Sequence, residues 1–540
     1  ICSKVRIGLD LDNTLICYER AFASASKFIK LLPQPWSGSK KELKRALLSQ
    51  PSGERLWQSL QGQVYGTGIV DAELFPGVER FMLRCRYRGY DVFIVSHKTE
   101  FGHFDVTRTP LRKAAMSWMQ EKGFFYPSGF GIPKDNVYFM DTRKRKVSKI
   151  SKLNLDVFVD DLEEVFDEKE FPSIKKVLFS NEPDTIRSEV VFGNWCDIEE
   201  HLLGPISKNE VAAMVREHLG CSINSIRPIF GGGNNRLYQV TDSEGQRFAI
   251  KFYPDVSLDS RPRLQAEVSA CQLLRKLDVT PSLRWYDQRL NFAIFDWIDG
   301  VSPDIDDDHL RQATEFIGQL RTIFRVERQS FAPASEACLS ISELLRQIDN
   351  RISNLELNQD PGLVKLLAAT IKPLRRKLHS WVTREWSTEQ IRKCLPLSKQ
   401  TLSPSDFGFH NALQNKNGRL CFFDFEYFGR DDPVKLAADF LWHPGMVLTS
   451  HQKRYWLKNI IILFGDDPEL RDRFRIAWPL FGLRWALILL NEFRQDGWKK
   501  RVYAQHGISS EESEKKAQQL RKAAAICRTL TKENFECPYV

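Results

Sequence analysis

An aspartate, an asparagine five residues on, and a second aspartate ending an apolar run can together hold a divalent cation and accept a proton. That pattern stands between Ser403 and Glu426, S-P-S-D-F-G-F-H-N-A-L-Q-N-K-N-G-R-L-C-F-F-D-F-E. Asn411 and Asp424 offer the hard oxygen atoms that Mg²⁺ prefers, while Asp406 stays free to take the proton of a hydroxyl. Leu420 to Phe423 deliver Asp424, and Lys416-Asn417-Gly418 supply the turn between two arms of a hairpin. A second acidic pair opens the chain. The apolar strand Val5-Arg6-Ile7-Gly8-Leu9 runs into Asp10-Leu11-Asp12-Asn13-Thr14. On a parallel strand Asp10 falls at the carboxyl edge, where α/β folds build their sites. Asp12 lies two residues on, so both carboxylates can approach one ligand and divide nucleophilic from acid/base work once a metal relieves their repulsion.

Further polar residues accompany each group. Phe230-Gly231-Gly232-Gly233-Asn234-Asn235 falls between strands, and its glycines let the backbone close on phosphates. Lys251 ends the strand that follows, and Glu267 lies in the next helix, Leu264 to Leu277, as its ion-pair partner or on a solvated face. Asp406-x-x-x-x-Asn411 followed by Asp424, with this loop, Lys251 and Glu267 ahead of it, resembles the aminoglycoside phosphotransferase and choline kinase families, small-molecule relatives of protein kinases. The resemblance covers roughly residues 207–530. It implies Asp406 as catalytic base and Asn411 and Asp424 as Mg²⁺ ligands. It implies Gly231, Gly232, Gly233, Asn234, Lys251 and Glu267 at ATP, with the backbone around Asp296 and Ile298 holding adenine. The family has a histidine two residues before the base, a supporting residue, and here that place is Pro404. The acids from Asp431 to Asp439 read as braces of the loop.

In the first half, Asp91 to Val95 form a second strand that ends in Ser96. A third, Asp156 to Val159, ends in Asp160-Asp161, and Lys146 lies upstream of it in a helical pattern. D-x-D-N-T, Ser96, Lys146 and Asp160-Asp161, in this order, resemble the motifs of the haloacid dehalogenase (HAD) superfamily. The resemblance implies that Asp10 attacks a phosphoryl group and Asp12 protonates the leaving oxygen. Ser96 and Lys146 would bind the phosphate, with Lys144 and Lys149 as rivals of Lys146. Mg²⁺ would be held by Asp10 and Asp160, with a backbone carbonyl and Asp12 beside them. His97 and His103 read as surface histidines, and the run Arg143 to Lys146 as a grip on an anionic substrate or a solvated face.

The elements that must position these groups follow from periodicity. The first half is predicted as a Rossmann-like α/β domain over residues 1–204, with a small helical cap at about 16–70. In the cap, Trp36 and Trp57 read as core. Gly204-Pro205 reads as a linker. A bilobal, protein-kinase-like α+β domain is predicted over 207–540, its N-lobe at 207–300 and its C-lobe at 301–540. Helices of the C-lobe would carry the acceptor pocket; Asp304 to Asp308 read as a solvated helix start ahead of a grip on a cationic acceptor, and Trp442, His443 and Trp485 as core packing ahead of pocket lining. With 540 residues, 42% of them apolar, the chain has material for more than one core. No apolar run reaches the roughly 20 residues of a membrane span. Ile1 to Ile7 read as a strand and not as an export signal. Eleven scattered cysteines without a C-x-x-C pair point to a reducing cytoplasm and away from disulfides or zinc.

Taken together, the expectation is a bifunctional enzyme: an Mg²⁺-dependent phosphomonoester phosphatase joined to an ATP-dependent kinase for a hydroxyl of a sugar or similar small alcohol. Its partners would be the small phosphate ester and the small hydroxyl acceptor. The net charge of +9 keeps a nucleic-acid end, healed by both activities, as an alternative substrate. A regulatory protein with one inactive half is the other alternative.

Overall fold

The computed structural model describes residues 4–27, 36–104, 108–180, 190–230, 233, 235–254, 259–327, 331–494, 497–504 and 512–540. The chain divides into two compact units, Ile1–Glu217 and His218–Val540.

In the first unit, short apolar runs form six parallel strands: β1 (Arg6–Leu9), β2 (Asp91–His97), β3 (Val137–Met140), β4 (Val157–Asp160), β5 (Lys175–Phe179) and β6 (Val190–Phe192). Their order is β3-β2-β1-β4-β5-β6. The chain builds outward from β1 on one side and then crosses to the other at β4. The carboxyl ends of β1 and β4 therefore flank a switch point, where such sheets open a crevice. Leu9 pairs with Ile94 and Val159, so Asp10 and Asp160 emerge beside each other at that edge. Helix α1 (Arg143–Lys152) buries Val147 and Ile150 in the core beneath the sheet, with Phe93, Val95 and Phe158. This fixes the height of Lys146 on its inner face.

The expected cap region holds helices Glu19–Ser26, Lys40–Leu48 and Gly53–Tyr65. Ser39 and Glu42 start the second with a reciprocal capping box. Trp57 is buried and stacks on Phe22 at 5.1 Å, a core role. Helix α2 (Lys208–Leu219), expected to open the second domain, packs with the first unit instead. Its buried Glu210 pairs with Arg84 at 2.9 Å and with Arg88 at 2.8 Å.

The second unit opens with β7 (Ile223–Ile229), β8 (Arg236–Asp242), β9 (Arg247–Phe252), β10 (Leu283–Asp287) and β11 (Phe292–Asp296). They form an antiparallel sheet in the order β10-β11-β9-β8-β7. Helix α3 (Arg263–Leu274) follows β9 and buries Glu267. A helical body follows, including α4 (Ile341–Glu356), α5 (Pro433–Trp442) and α6 (Leu470–Ile488). Set among its helices are two short ladders. One pairs β12 (Thr401–Ser403) with β15 (Gly429–Asp431). The other pairs β13 (Ala412–Gln414) with β14 (Leu420–Phe422) around the turn at Gly418, whose φ of +78° suits glycine. No described helix is long and apolar enough to cross a membrane.

Candidate functional site

Two acidic clusters stand out, one in each unit, and each surrounds a buried lysine. In the second unit Lys251 projects from β9, and its Nζ donates to Glu267 Oε2 at 2.6 Å and to Asp424 Oδ1 at 2.5 Å. Glu426 Oε2 is 4.0 Å away. Glu267 is 3% exposed and also accepts from Tyr253 Oη and the Phe425 amide, so it lies inside the lobe and not on a solvated face. Asp424 has a φ of +69°, a bend that ends the apolar arm and turns its carboxylate toward Lys251. Burial pushes Asp424 up to about 7 against the pull of Lys251, with Glu426 and Glu267 adding to the rise.

Lys251, Glu267, Asn411 and Asp424 line one cleft of about 420 Å³, with Gly233, Asn235, Ala249, Phe295, Asp296, Trp297, Ile298 and Leu413. The Asp296 amide donates to Ser282 O and the Trp297 amide to Arg247 O, so both amides are already engaged. Asn411 donates its amide to the Asp406 carbonyl at 3.0 Å, which ties the two ends of the D-x-x-x-x-N turn together. Burial works against the charge of Asp406, but His410, His443 and Asn411 hold its carboxyl down at about 2. It is ionised at any working pH.

In the first unit Lys146 Nζ bridges Asp10 Oδ1 and Asp160 Oδ2, each at 2.6 Å. Thr14 Oγ1 donates toward Asp10 Oδ2 at 3.4 Å and Asp161 Oδ1 at 3.2 Å. Asp10, Asp160 and Asp161 each bring an oxygen within 4.8 Å of the others. Three carboxylates share one ammonium. Burial pushes Asp10 well up against the pull of Lys146, and burial with Asp160 pushes Asp161 up to about 7. Ser96 is 1% exposed, and its hydroxyl has no hydrogen-bond partner among the described residues. Lys144 pairs with Glu170 and Lys149 lies over Tyr138, so neither rival of Lys146 reaches Asp10.

The Asp12 carboxylate lies apart from this trio. It accepts from Tyr18 Oη at 2.6 Å and pairs with Lys98 Nζ at 2.8 Å, and Asp161 holds the third place expected of it among the acids. His97 Nε2 sits 2.9 Å from the Asp141 carbonyl, which leaves it on the rim. Asp306 caps the helix at Asp307–Glu327 and Asp308 pairs with Arg311, so that acidic run serves a helix start. Gly231, Gly232 and Asn234 lie outside the described residues.

Several partners went unnoticed in the sequence. Glu426, 1% exposed, accepts from Asn235 at 2.7 Å and from Arg263 at 2.9 Å, joining the start of β8 and helix α3 to the Asp424 arm. The D-x-E spacing of Asp424 and Glu426 was the available signal. Lys98 follows Ser96 by two residues, but nothing local marks its pairing with Asp12.

The model of the phosphotransferase enzyme family matches residues 225–473. Residues 225–473 form a phosphotransferase domain. Solved structures similar to the chain include a choline kinase from Cryptosporidium parvum Iowa II, 12% identical, covering 61% of this chain and 98% of its own, with a TM-score of 0.41. An ethanolamine kinase from Plasmodium vivax is 15% identical over 60% of this chain and 90% of its own, with a TM-score of 0.39. A spectinomycin phosphotransferase, solved with ADP and spectinomycin, is 13% identical over 60% and 99%, with a TM-score of 0.40. No curated protein sequence matches the chain. The phosphotransferase domain spans the lysine cluster, the cleft and the Asp406 loop.

Proposed function

We propose that the chain carries two phosphoryl-handling activities: an Mg²⁺-ATP-dependent kinase for a hydroxyl of a small molecule, and an Mg²⁺-dependent phosphomonoester phosphatase of the HAD type. The supporting observation is common to both halves. A buried lysine is clamped between acids from distant segments, with carboxylates in excess: Lys146 among Asp10, Asp160 and Asp161, and Lys251 among Glu267, Asp424 and Glu426. The excess of hard oxygen donors over ammonium charge fits a divalent cation in each cluster. Bound there, Mg²⁺ would neutralise phosphoryl oxygens.

In the kinase half, Lys251 orients the ATP phosphates and Glu267 fixes Lys251. Asn411 and Asp424 would hold the metal. Asp406, an ionised carboxylate beside that cleft, takes the proton of the acceptor hydroxyl as its oxygen bonds to the γ-phosphorus and ADP leaves. Choline, ethanolamine and aminoglycosides name the size and chemistry of acceptor to try first. In the phosphatase half, an Asp10 oxygen bonds to phosphorus and the ester oxygen leaves with a proton from Asp12. Asp12 then takes a proton from the water that hydrolyses the aspartyl phosphate. Asp10, Asp160 and Asp161 would hold the metal. Ser96 donates to the phosphoryl group and Lys146 offsets its charge.

Separation of function tests the pair. Asp406→Ala should abolish phosphoryl transfer from ATP and leave hydrolysis of a generic phosphomonoester intact. Asp10→Asn should do the reverse. Phosphatase turnover undiminished in Asp10→Asn would reject the phosphatase assignment, and kinase turnover surviving in Asp406→Ala the kinase assignment.

A further inference from the structure

The geometry points to His410 and His443 as a stacked pair of positioning residues that fix the orientation of Asp406; the inference rests on the reading of Asp406 as the kinase base. His410 Nε2 lies 3.1 Å from Asp406 Oδ1, and His443 Nε2 lies 3.5 Å from the same oxygen. The two rings are parallel, with centroids 3.7 Å apart and planes 6° from each other. They come from different segments: His410 from the turn Phe409–Asn411, His443 from the residue that ends α5.

The tautomer of His443 is set by the main chain. The Gly445 amide donates to His443 Nδ1 at 3.0 Å. That nitrogen is therefore an acceptor, and the neutral ring carries its proton on Nε2, aimed at Asp406. Trp485 and His443 meet edge to face with centroids 4.7 Å apart, and Trp485 is itself anchored through Nε1 to Asp439 Oδ1 at 2.8 Å. Two glycines make the room. A Cβ on Gly408 would stand 2.7 Å from His410 Nδ1, and one on Gly445 2.9 Å from His443 Cε1.

A carboxylate base must present one oxygen to the acceptor hydroxyl in a narrow range of angles, and misplacement by about 1 Å costs about a hundredfold in rate. Both imidazoles address Oδ1. The carboxylate is then held through Oδ1, which leaves Oδ2 to take the proton of the acceptor. Pro404 stands where the resembling families have a supporting histidine, and the stacked pair supplies support to the same aspartate from the opposite direction along the chain.

Two variants separate this role from packing. His443→Phe keeps a stacked ring and removes the N–H; His443→Gln keeps an N–H within reach and removes the ring. With Mg²⁺-ATP and a panel of choline, ethanolamine, spectinomycin and hexoses, or water as acceptor by ATP hydrolysis, His443→Phe should lower kcat about 10- to 100-fold. Its KM for ATP and its unfolding midpoint should stay at the wild-type values, and His443→Gln should recover most of the rate. The opposite ranking, Phe active and Gln impaired, would mean that the ring only packs and would overturn the inference. A readout independent of turnover is ¹⁵N NMR of the histidine rings, assigned by the His443→Phe spectrum. It should find His443 as the Nε2–H tautomer, and the Nδ1–H tautomer would also overturn the inference. If Asp406→Ala keeps full kinase activity, the base assignment itself has failed; if Asp406→Ala is dead while His443→Phe is fully active, only the positioning role has.

Discussion

Lys146 faces three carboxylates, and Lys251 faces three of which Arg263 balances one, Glu426, so negative charge is left over in each cluster. Burial first, and then the neighbouring carboxylates, raise Asp161 and Asp424 to about 7. A carboxyl raised in the fold lowers stability once pH passes its unfolded value near 4, and the loss grows until the pH reaches about 7. The metal-free protein should therefore be more stable near pH 5 than near pH 8 as far as these two groups go. Mg²⁺ should cancel the difference: at a hundredfold excess over its dissociation constant it adds about 2.7 kcal/mol, and this gain should shrink as pH falls below 7. Thermal unfolding with and without Mg²⁺ at pH 6 and pH 8 checks it. Asp424→Asn should remove the Mg²⁺ shift from the second unit alone, and Asp160→Asn from the first alone. Gly8→Ala is a steric counterpart, since its Cβ would stand 2.4 Å from Leu155 Cδ1 and 2.5 Å from Phe158 Cδ2. Overpacking of this kind should cost about 1–3 kcal/mol in urea unfolding. Asp10, Lys251 and Asp424 were legible in the sequence because each ends or lies within a short apolar run, where a charge is conspicuous. His443 and Lys98 were not, because their partners Asp406 and Asp12 are joined to them only by the fold.

Between elements, buried charge does the joining that apolar periodicity cannot specify. Glu336 sits in the segment before α4, yet its Oε2 accepts from Arg351 of α4 at 2.5 Å and from Arg484 of α6 at 2.8 Å. Arg484 is 4% exposed. Burial opposes the charge of Glu336, but Arg484, Arg351 and Arg261 together hold its carboxyl down at about 2. A depressed carboxyl contributes stability that is whole above its unfolded value near 4.5 and disappears as pH falls toward 2. Glu336→Ala should leave Arg351 with Asn491 and Arg484 with Gln347 and Asp439, and the loss of two charged hydrogen bonds should cost about 1.5–3 kcal/mol, read as a lower urea midpoint at pH 7. The difference from wild type should narrow below pH 4. The amphipathic spacing around Leu344, Ile348 and Ile352 made α4 predictable, and those three residues are buried in the core. The spacing says which face of a helix is buried and not which helix lies against it, so the Arg351–Glu336–Arg484 junction was beyond its reach. The parallel order β3-β2-β1-β4-β5-β6 was likewise only implied, since fully buried strands carry no mark of their neighbours.

Across the whole chain, the point of division has a physical test. The two compact units meet in sequence between Glu217 and His218, beyond the Gly204-Pro205 pair that composition singles out as a linker. Glycine and proline there end one helix and allow the next, but they say nothing about where that next helix is bound. Helix α2 is bound by charge. Glu210 is fully buried, accepts from Arg84 Nε at 2.9 Å and pairs with Arg88 at 2.8 Å, while Arg84 reaches Glu199 at 2.7 Å and is itself 1% exposed. Cutting the chain at residue 204 would leave Arg84 with half its acidic partners and open apolar surface at Val211, Met214 and Val215, which α2 buries. A fragment of residues 1–219 should therefore fold with a single cooperative transition, and residues 1–204 should be less stable by about 3–5 kcal/mol, the usual cost of breaking a buried ion pair. Glu210→Ala in the full chain should reproduce much of that loss in the first transition and leave the second unchanged. Equal stability of the two fragments would mean that α2 contributes nothing to the first unit, and that the division belongs at the glycine.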